Sequence, residues 1–263
     1  MLFFLSKNIL FEEDFSFFFI FLHFKFLMMK YQRILLKLSG ESLMGNDTYG
    51  INYQAVSHFA SEIKSAIDLN VQVGVVIGGG NIFRGVKGAG KGFDRKQGDY
   101  MGMLATTINA MAIQAVLEQM GVKVKLLSAL NIEGICEKVF FKKSIQYLEE
   151  GYVVIFSGGT GNPFFTTDSG AALRAAEINA NLLLKGTRVD GIYSADPEKD
   201  PSATKFSTLT FDEAYRKNLN IVDLTAFTMC KENQIPLYVY NANESGNLRK
   251  ILNGEHIGTL VEL

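Results

Sequence analysis

Short apolar runs that alternate with segments of helical spacing constrain this chain more than any other feature. Residues 33–38 (RILLKL) and 71–77 (VQVGVVI) have the pattern of buried strands, and apolar side chains recur at helical spacing over residues 55–67. Further strands are predicted at 122–127, 152–156, 182–185 and 236–240, and further helices at 101–120, at 144–150, after Asp168 and from about Asp223. Repeated units of this kind predict an α/β fold built on a mainly parallel sheet.

The first 28 residues differ in composition from the rest of the chain. Residues 15–26 (FSFFFIFLHFKF) are crowded with Phe, but His23 and Lys25 interrupt the run, which is shorter than the roughly 20 apolar residues of a spanning helix. An acidic cluster at 12–14 and the lack of a small-residue cleavage site fit a signal peptide poorly. We expect residues 1–28 to be a disordered extension, or to lie upstream of the natural start, and residues 29–263 to form one domain; an interfacial helix and a targeting segment are the alternatives.

Charge and cysteine content exclude several classes of protein. The chain has 26 basic and 27 acidic side chains and a net charge of -1, so no overall field favours nucleic acid or an anionic membrane. Its two cysteines, Cys136 and Cys230, are far apart and outside any CxxC spacing, which argues against a disulfide scaffold or a zinc site. We therefore expect a cytoplasmic protein that binds neither nucleic acid nor membrane and has no metal-ligand cluster of its own.

Three glycine-rich turns directly follow predicted strands. They are LSGES at 38–42, GGGNIFRG at 78–85 and SGGTGNPFFTTDS at 157–169. Because the carboxyl ends of parallel strands lie along one edge of a sheet, the three turns should converge there. Turns without side chains let backbone N–H groups approach phosphate oxygens. One such turn is as consistent with a mere tight bend as with a phosphate site, but three together predict a phosphate site.

Two glycine patterns in these regions partly match known nucleotide-binding motifs but lack residues that those motifs require. Residues 85–92 (GVKGAGKG) have the spacing of a P-loop, but Gly92 stands where the Ser or Thr that holds Mg²⁺ belongs, and no strand directly precedes the segment. Gly159 and Gly161 begin a GxGxxG pattern that ends in Phe164. We reject both the P-loop and the dinucleotide-binding interpretations.

Three charged residues stand beside these turns. Lys37 interrupts an apolar strand just before a glycine turn, where an ammonium group is favourable if it faces an anion; the alternative is an edge-strand lysine that reaches solvent. Arg84 follows GGG and could grip phosphate through two hydrogen bonds, or lie on the surface. Asp168 is a helix cap or an organiser of cations, and the two roles are compatible.

Several longer motifs point to one family. The segments VGVVIGGGNIFRG, GDYMGMLATTINA, GTGNPFFTTDS and VDGIYSADPEKDP, after RILLKLSGE near the start, resemble in order and spacing the bacterial uridylate kinases of the amino acid kinase superfamily. The likeness runs from about Tyr31 to the C-terminus. It implies the three-layer α/β/α sandwich of that superfamily and the transfer of the γ-phosphoryl of ATP to UMP in pyrimidine nucleotide biosynthesis. It also implies Mg²⁺ held mainly by ATP oxygens, a homohexamer, and GTP and UTP as effectors.

The resemblance also assigns site residues by position. The residues with implied catalytic roles are Lys37, Arg84 and Asp168, with Lys185 as a weaker candidate for a second cation. The implied ATP-binding residues are Lys37, Leu38, Ser39, Gly40, Gly80, Arg84, Thr187, Tyr193 and Asp196. The implied UMP-binding residues are Gly79, Asp99, Thr160, Gly161, Asn162, Pro163, Phe164, Phe165, Thr166 and Thr167, with Asp99 on the ribose hydroxyls. The implied GTP-responsive loop is Gly45, Asn46, Asp47, Thr48, Tyr49 and Gly50.

The chemistry of the acceptor sets what such a site must do. The phosphate of UMP is largely dianionic at neutral pH, so no general base is needed. Electrostatic stabilisation and alignment of two anions are needed instead. Three other functions share some of these features: a superfamily member that phosphorylates a carboxylate or carbamate, a non-catalytic nucleotide sensor, and a nucleic-acid binder.

Overall fold

The computed structural model describes residues 30–83, 92, 94–219 and 221–263. Among these residues, nine strands form one sheet in the order β4-β3-β5-β2-β1-β6-β10-β11-β9, and β7 and β8 form a separate antiparallel pair. Neighbouring strands of the large sheet are parallel except β10 and β11. The strands are β1 Arg33–Leu38, β2 Gln72–Ile77, β3 Val124–Ser128, β4 Glu137–Lys138, β5 Val153–Ser157, β6 Leu182–Thr187, β7 Ile192–Tyr193, β8 Lys205–Phe206, β9 Thr208–Thr210, β10 Leu237–Asn241 and β11 Thr259–Glu262.

Helices cover both faces of this sheet. They are α1 Tyr53–Ile67, α2 Arg95–Gln119, α3 Phe141–Glu149, α4 Thr167–Glu177, α5 Phe211–Arg216, α6 Leu224–Glu232 and α7 Asn247–Leu252, with a short 3₁₀ helix at Gly40–Met44. Helices α1 and α2 pack on one face, while α3 and α4 pack on the other and α4 contacts α6. The central strands are therefore buried on both sides, which explains their nearly continuous apolar sequences. The predicted α/β/α sandwich with a mainly parallel sheet is confirmed.

The predicted elements occur, with some shifted bounds. The largest shift is in α2, which was expected at 101–120 but begins at Arg95 because the Asp94 side chain accepts hydrogen bonds from the backbone N–H groups of Lys96 and Gln97. The apolar periodicity starts later than the helix, so periodicity alone missed the polar first turn. Residues 31–263 form one compact unit. The expectation for residues 1–28 lies outside the described residues.

Candidate active site

Two lysines and one aspartate meet at the carboxyl edge of the central strands. Lys37 of β1 and Lys185 of β6 are direct partners in the parallel register. The Asp168 carboxylate lies between them, with Oδ1 2.7 Å from Lys37 Nζ and Oδ2 2.7 Å from Lys185 Nζ. The side chains of Lys37, Asp168 and Lys185 are only 13%, 15% and 18% exposed. Because β1 is a central strand, Lys37 is not an edge-strand lysine, and that alternative is wrong.

Burial and charge oppose each other in this Lys37–Asp168–Lys185 cluster. Burial alone would raise the pKa of the Asp168 carboxyl, but the charges of Lys37 and Lys185 outweigh it and the pKa is lowered. Burial lowers the pKa of Lys185, and Lys37 adds to this effect while Asp168 opposes it. The carboxylate is therefore ionised at neutral pH, and it holds the two cations against their mutual repulsion.

A second aspartate, Asp223, ties the start of α4 to α6. It caps α6 by accepting from the N–H of Ala226, and its carboxylate also accepts hydrogen bonds from the hydroxyls of Thr166 and Ser169. The Thr166 hydroxyl in turn accepts from the N–H groups of Asp168 and Ser169, which makes Thr166 the N-cap of α4. Of the two roles predicted for Asp168, the cap therefore belongs to Thr166, and Asp168 is the organiser of cations.

The thiol of Cys230 lies behind this region on α6. Burial, followed by the charges of Asp168 and Asp223, raises the pKa of Cys230 to about 12. The thiol is therefore protonated and unreactive at neutral pH. Its structural role is to fill the buried space between α6 and the sheet.

The glycine turns after β1 and β2 pack directly on each other. A Cβ atom on Gly40 would lie 2.4 Å from the carbonyl oxygen of Gly78, and one on Gly79 would lie 2.7 Å from the carbonyl oxygen of Gly102. Any larger residue at these two positions would therefore clash with the neighbouring backbone, and only glycine allows the two segments to approach this closely. The buried side chains of Asn81 and Asn109 exchange two hydrogen bonds of 2.9 and 2.7 Å beside this contact.

A cavity of about 620 Å³ opens on one side of the cluster, between α2 and the turn that joins β5 to α4. We call it the acceptor cavity. Its walls hold most of the residues predicted for UMP: Gly79, Asp99, Thr160, Asn162, Phe165, Thr166 and Thr167. The structure thus brings together residues that are 88 positions apart in sequence, from Gly79 to Thr167. Gly161, Pro163 and Phe164, which were also predicted, do not line it, whereas Gly80, predicted for ATP, does.

Two further cavities lie on the other side of the cluster. One of about 810 Å³ is lined by Lys37, Ser39, Lys185 and Thr187, and one of about 510 Å³ is lined by Lys185, Thr187, Tyr193 and Asp196. We call them together the donor cavities. Lys185 and Thr187 belong to both, so a ligand with a base at one end and phosphates at the other could occupy the two. Predicted ATP residues Leu38 and Gly40 do not line either cavity, and Leu38 is buried.

Two other predicted groups have different outcomes. Arg84 lies outside the described residues, so its predicted role stays a prediction. In the loop predicted to respond to GTP, Gly45, Asn46 and Asp47 line the same 810 Å³ cavity as Lys37, and Tyr49 is exposed. The N–H and carbonyl of Gly50 are both hydrogen-bonded to Asn81, which follows the glycine turn after β2.

Sequence reasoning missed several side chains of this region, among them Arg95 and Asp223. Arg95 lines the acceptor cavity and forms an ion pair with Asp99 one helical turn away. The signal was present, because opposite charges at i and i+4 pair on a helix, but the helix was predicted to begin after both residues. Asp223 was placed only at the start of a helix, and no local pattern shows that it also reaches the Thr166 and Ser169 hydroxyls.

Comparison with known proteins places this geometry in a class. The model of the amino acid kinase family matches residues 32–241, and the chain belongs to that family. It is 58% identical to the uridylate kinase of Parabacteroides distasonis over 234 residues, which are 89% of this chain and 99% of that protein. The uridylate kinase of Porphyromonas gingivalis is 59% identical over 236 residues, 89% of this chain and 98% of that protein. Within the family, the chain therefore groups with the bacterial uridylate kinases.

A solved structure agrees with this placement. The UMP kinase of Bacillus anthracis superposes with a TM-score of 0.86 at 36% identity, covering 88% of this chain and 96% of that one. The family model, which matches residues 32–241, covers the strands and turns that carry the Lys37–Asp168–Lys185 cluster.

Proposed function

We propose that this protein is a UMP kinase that transfers the γ-phosphoryl of ATP to UMP, giving UDP and ADP, in pyrimidine nucleotide biosynthesis in the cytoplasm. The observation that carries the proposal is the position of the Lys37–Asp168–Lys185 cluster. Both lysines line the donor cavities, and Asp168 directly follows Thr167 of the acceptor cavity. Two anions bound on either side would meet at the two cations.

The cluster supplies charge rather than proton transfer. Lys37 and Lys185 stabilise the negative charge that spreads over the oxygens of the transferred phosphoryl group, and Asp168 keeps the two ammonium groups in place. The acceptor phosphate is already the nucleophile, so no side chain has to remove a proton. Arg84 would add a further cation from the turn after β2.

The two carboxylates nearest the site are already engaged by other protein groups, which fits a metal ion that binds together with the nucleotide. Asp168 is engaged by two lysines, and Asp223 by two hydroxyls and a backbone N–H. Mg²⁺ prefers oxygen ligands and keeps several waters, so ATP phosphate oxygens are suitable ligands for it here. When bound, the ion would neutralise charge on the β- and γ-phosphates.

The surface of α2 supports assembly with further copies of this chain. Met101, Leu104, Ile108 and Met111 are exposed at spacings of three and four residues, which place them on one side of the helix. The helix is long and apolar enough to cross a membrane by composition, but half of its most apolar window is buried within the protein. An identical α2 from a second copy would cover the exposed stripe, as in a homo-oligomer. Sedimentation equilibrium tests for the implied hexamer.

The loop of Gly45, Asn46 and Asp47 supports regulation by GTP and UTP. It lines the cavity that contains Lys37, and Asn81 joins Gly50 to the glycine turn. A ligand that moves this loop would therefore change the walls of the site. Turnover measured with and without GTP and UTP tests this proposal.

One assay distinguishes the proposed activity from the alternatives. ATP turnover is measured with UMP, CMP, dUMP and glutamate as acceptors, and UMP is expected to give the highest kcat/KM. Preference for the carboxylate would identify a different member of the family, and no turnover with any acceptor would favour a sensor. Binding that weakens steeply with salt on an RNA or DNA probe would favour the nucleic-acid interpretation.

A further inference from the structure

Arg95, Asp99 and Phe164 form a contact network at the mouth of the acceptor cavity. Arg95 Nε donates to both carboxylate oxygens of Asp99, at 3.0 Å to Oδ1 and 2.9 Å to Oδ2. The backbone N–H of Phe164 donates to Asp99 Oδ2 at 2.8 Å. The Arg95 guanidinium carbon also lies 5.8 Å from the centre of the Phe164 ring. One carboxylate thus joins α2 to the turn between β5 and α4.

The turn depends on this network because of its backbone conformation. Phe164 has a φ of 74°, in the left-handed region that an aromatic residue rarely adopts. Contacts must offset the strain of that conformation. The hydrogen bond to Asp99 and the packing of Arg95 on the ring both do so. Neighbouring Phe165 and Thr166 line the acceptor cavity, so the network also places cavity walls.

The contacts of Asp99 within this network leave one acceptor site of its carboxylate for a further hydrogen bond. A carboxylate has about four lone-pair sites. Three are used by the described donors, two on Oδ2 and one on Oδ1. The side chain is 12% exposed and lines the cavity, so a free site on Oδ1 is accessible to a bound molecule. A carboxylate oxygen that is held in one orientation discriminates more strongly between ligands with and without a hydroxyl than one that can rotate and bind water instead.

We propose that Arg95 is a positioning residue for sugar specificity: by fixing the Asp99 carboxylate, it favours an acceptor with a full set of ribose hydroxyls over a deoxyribonucleotide. The inference rests on the proposed function, which places UMP in this cavity. A site built to bind a substrate hydroxyl discriminates strongly against the analogue that lacks it, because a shielded polar group then stays unpaired. Without Arg95, Asp99 turns towards water and that penalty falls.

The test compares acceptors rather than overall activity. kcat/KM is measured at saturating ATP for UMP, 2′-deoxy-UMP and 3′-deoxy-UMP in the full-length protein and in the Arg95→Gln, Arg95→Lys and Lys96→Gln variants. For Arg95→Gln we expect kcat/KM to fall about tenfold for UMP but less than about threefold for the deoxy analogue that lacks the hydroxyl bound by Asp99. Arg95→Lys keeps the charge without the planar fork and is expected to give an intermediate ratio. Lys96→Gln, one position away on the exposed start of α2, should match the unchanged protein.

Each outcome has one meaning. A fall by the same factor for UMP and both deoxy analogues in Arg95→Gln would show a merely structural role and overturn the proposal, as would unchanged selectivity in a folded variant. If Arg95→Gln does not keep the melting temperature of the unchanged protein, the Arg95→Lys ratios decide by the same criterion. Failure of the proposed function is distinct, because the unchanged protein would then show no UMP turnover.

Discussion

The two sides of the central cluster are held in place by different means. On the acceptor side, the turn between β5 and α4 has positive φ at Gly158, Gly159 and Phe164, and hydrogen bonds to Asp99 and to the Thr106 hydroxyl hold it against α2. Both of these holding residues line the acceptor cavity. The atoms that shape this wall are therefore also atoms that a ligand would meet.

On the donor side, the holding residues stand behind the wall. The Asp190 carboxylate accepts from the Tyr193 hydroxyl at 2.6 Å and from Lys205 Nζ at 2.8 Å, and the N–H of Ile192 donates to the Thr259 hydroxyl. Tyr193 lines the donor cavity, but Asp190, Lys205 and Thr259 do not. Substitution on the acceptor side should therefore change which molecule is accepted, whereas substitution behind the donor wall should change only how tightly ATP is held.

The largest effect is expected at the cluster that both sides share. Lys37→Ala should lower kcat by at least roughly 100-fold, because it removes a preorganised charge at a developing anion. Asp168 keeps its ion pair with Lys185, so the fold should persist. Lys64→Ala, which removes an exposed lysine paired with Asp68, is the matched control. Near-normal turnover of a folded Lys37→Ala protein would refute the role.

Replacement of the carboxylate between the lysines should affect stability as well as turnover. Asp168→Asn leaves two shielded cations without their counter-charge, and we expect a loss of about 3 kcal/mol in the free energy of unfolding. The pKa of Asp168 is lowered in the folded protein, so its stabilisation is complete above the pKa of the unfolded chain and is lost as pH falls through the folded value.

Thermal melting across pH measures this contribution. The melting temperatures of the unchanged protein and Asp168→Asn should differ by a constant amount near neutral pH and begin to converge only as the pH falls below about 4, the ordinary pKa of an Asp carboxyl in the unfolded chain. A difference that grows in acid would contradict the assigned direction of the pKa shift.

On the acceptor side, Asp99→Ala should raise the KM for UMP, by about tenfold, and leave the KM for ATP unchanged. A contact to the ribose is made in the ground state and in the transition state alike, so its loss appears mainly in KM. Steady-state kinetics with each substrate varied in turn give both constants. An unchanged KM for UMP together with a raised KM for ATP would move Asp99 to the donor side.

On the donor side, Asp190→Asn and Tyr193→Phe should each raise the KM for ATP by about threefold without changing the KM for UMP, because each weakens or removes the hydrogen bond from the Tyr193 hydroxyl to Asp190 that orients the Tyr193 ring. The double variant should be little worse than either single one. Additive effects would show that Asp190 and Tyr193 do not act through their shared hydrogen bond, and a change in the KM for UMP would show that the two sides are not held independently.

The sequence predicts the central strands well and the pairing of their side chains less well. Apolar runs and glycine turns indicated β1, β2, β5 and β6, because burial on both faces imposes a simple pattern. The spatial pairing of Lys37 with Lys185 depends on strand register, which nothing local specifies. The hairpin of β7 and β8 has strands of two residues each, too short for any periodicity to show.

Most of the structural features that could not be predicted from the sequence lie on the acceptor side. The start of α2 depends on the Asp94 cap rather than on apolar spacing, so the Arg95–Asp99 pair was missed. The left-handed conformation of Phe164 depends on a hydrogen bond to a residue 65 positions away. Non-local contacts of this kind are decided by the folded chain as a whole.

The smallest effect is expected from the first 28 residues. Deleting residues 1–28, so that the chain starts at Met29, should leave both KM values, kcat and the melting temperature essentially unchanged. The first strand begins at Arg33, and 234 residues of this chain match 99% of the length of the uridylate kinase of Parabacteroides distasonis.

The Phe-rich residues 15–26 should instead affect association, because clustered Phe side chains promote association of the chain where they are exposed. The shortened protein is therefore expected to stay in solution at higher concentration. Full-length and shortened proteins are compared by melting temperature, by turnover with UMP varied and with ATP varied, and by their distribution between cytosolic and membrane fractions. Loss of folding on truncation would make the segment part of the domain. If only the full-length protein were confined to the membrane fraction, residues 1–28 would be a membrane anchor. The KM values for UMP and ATP would then have to be measured with the membrane-bound protein.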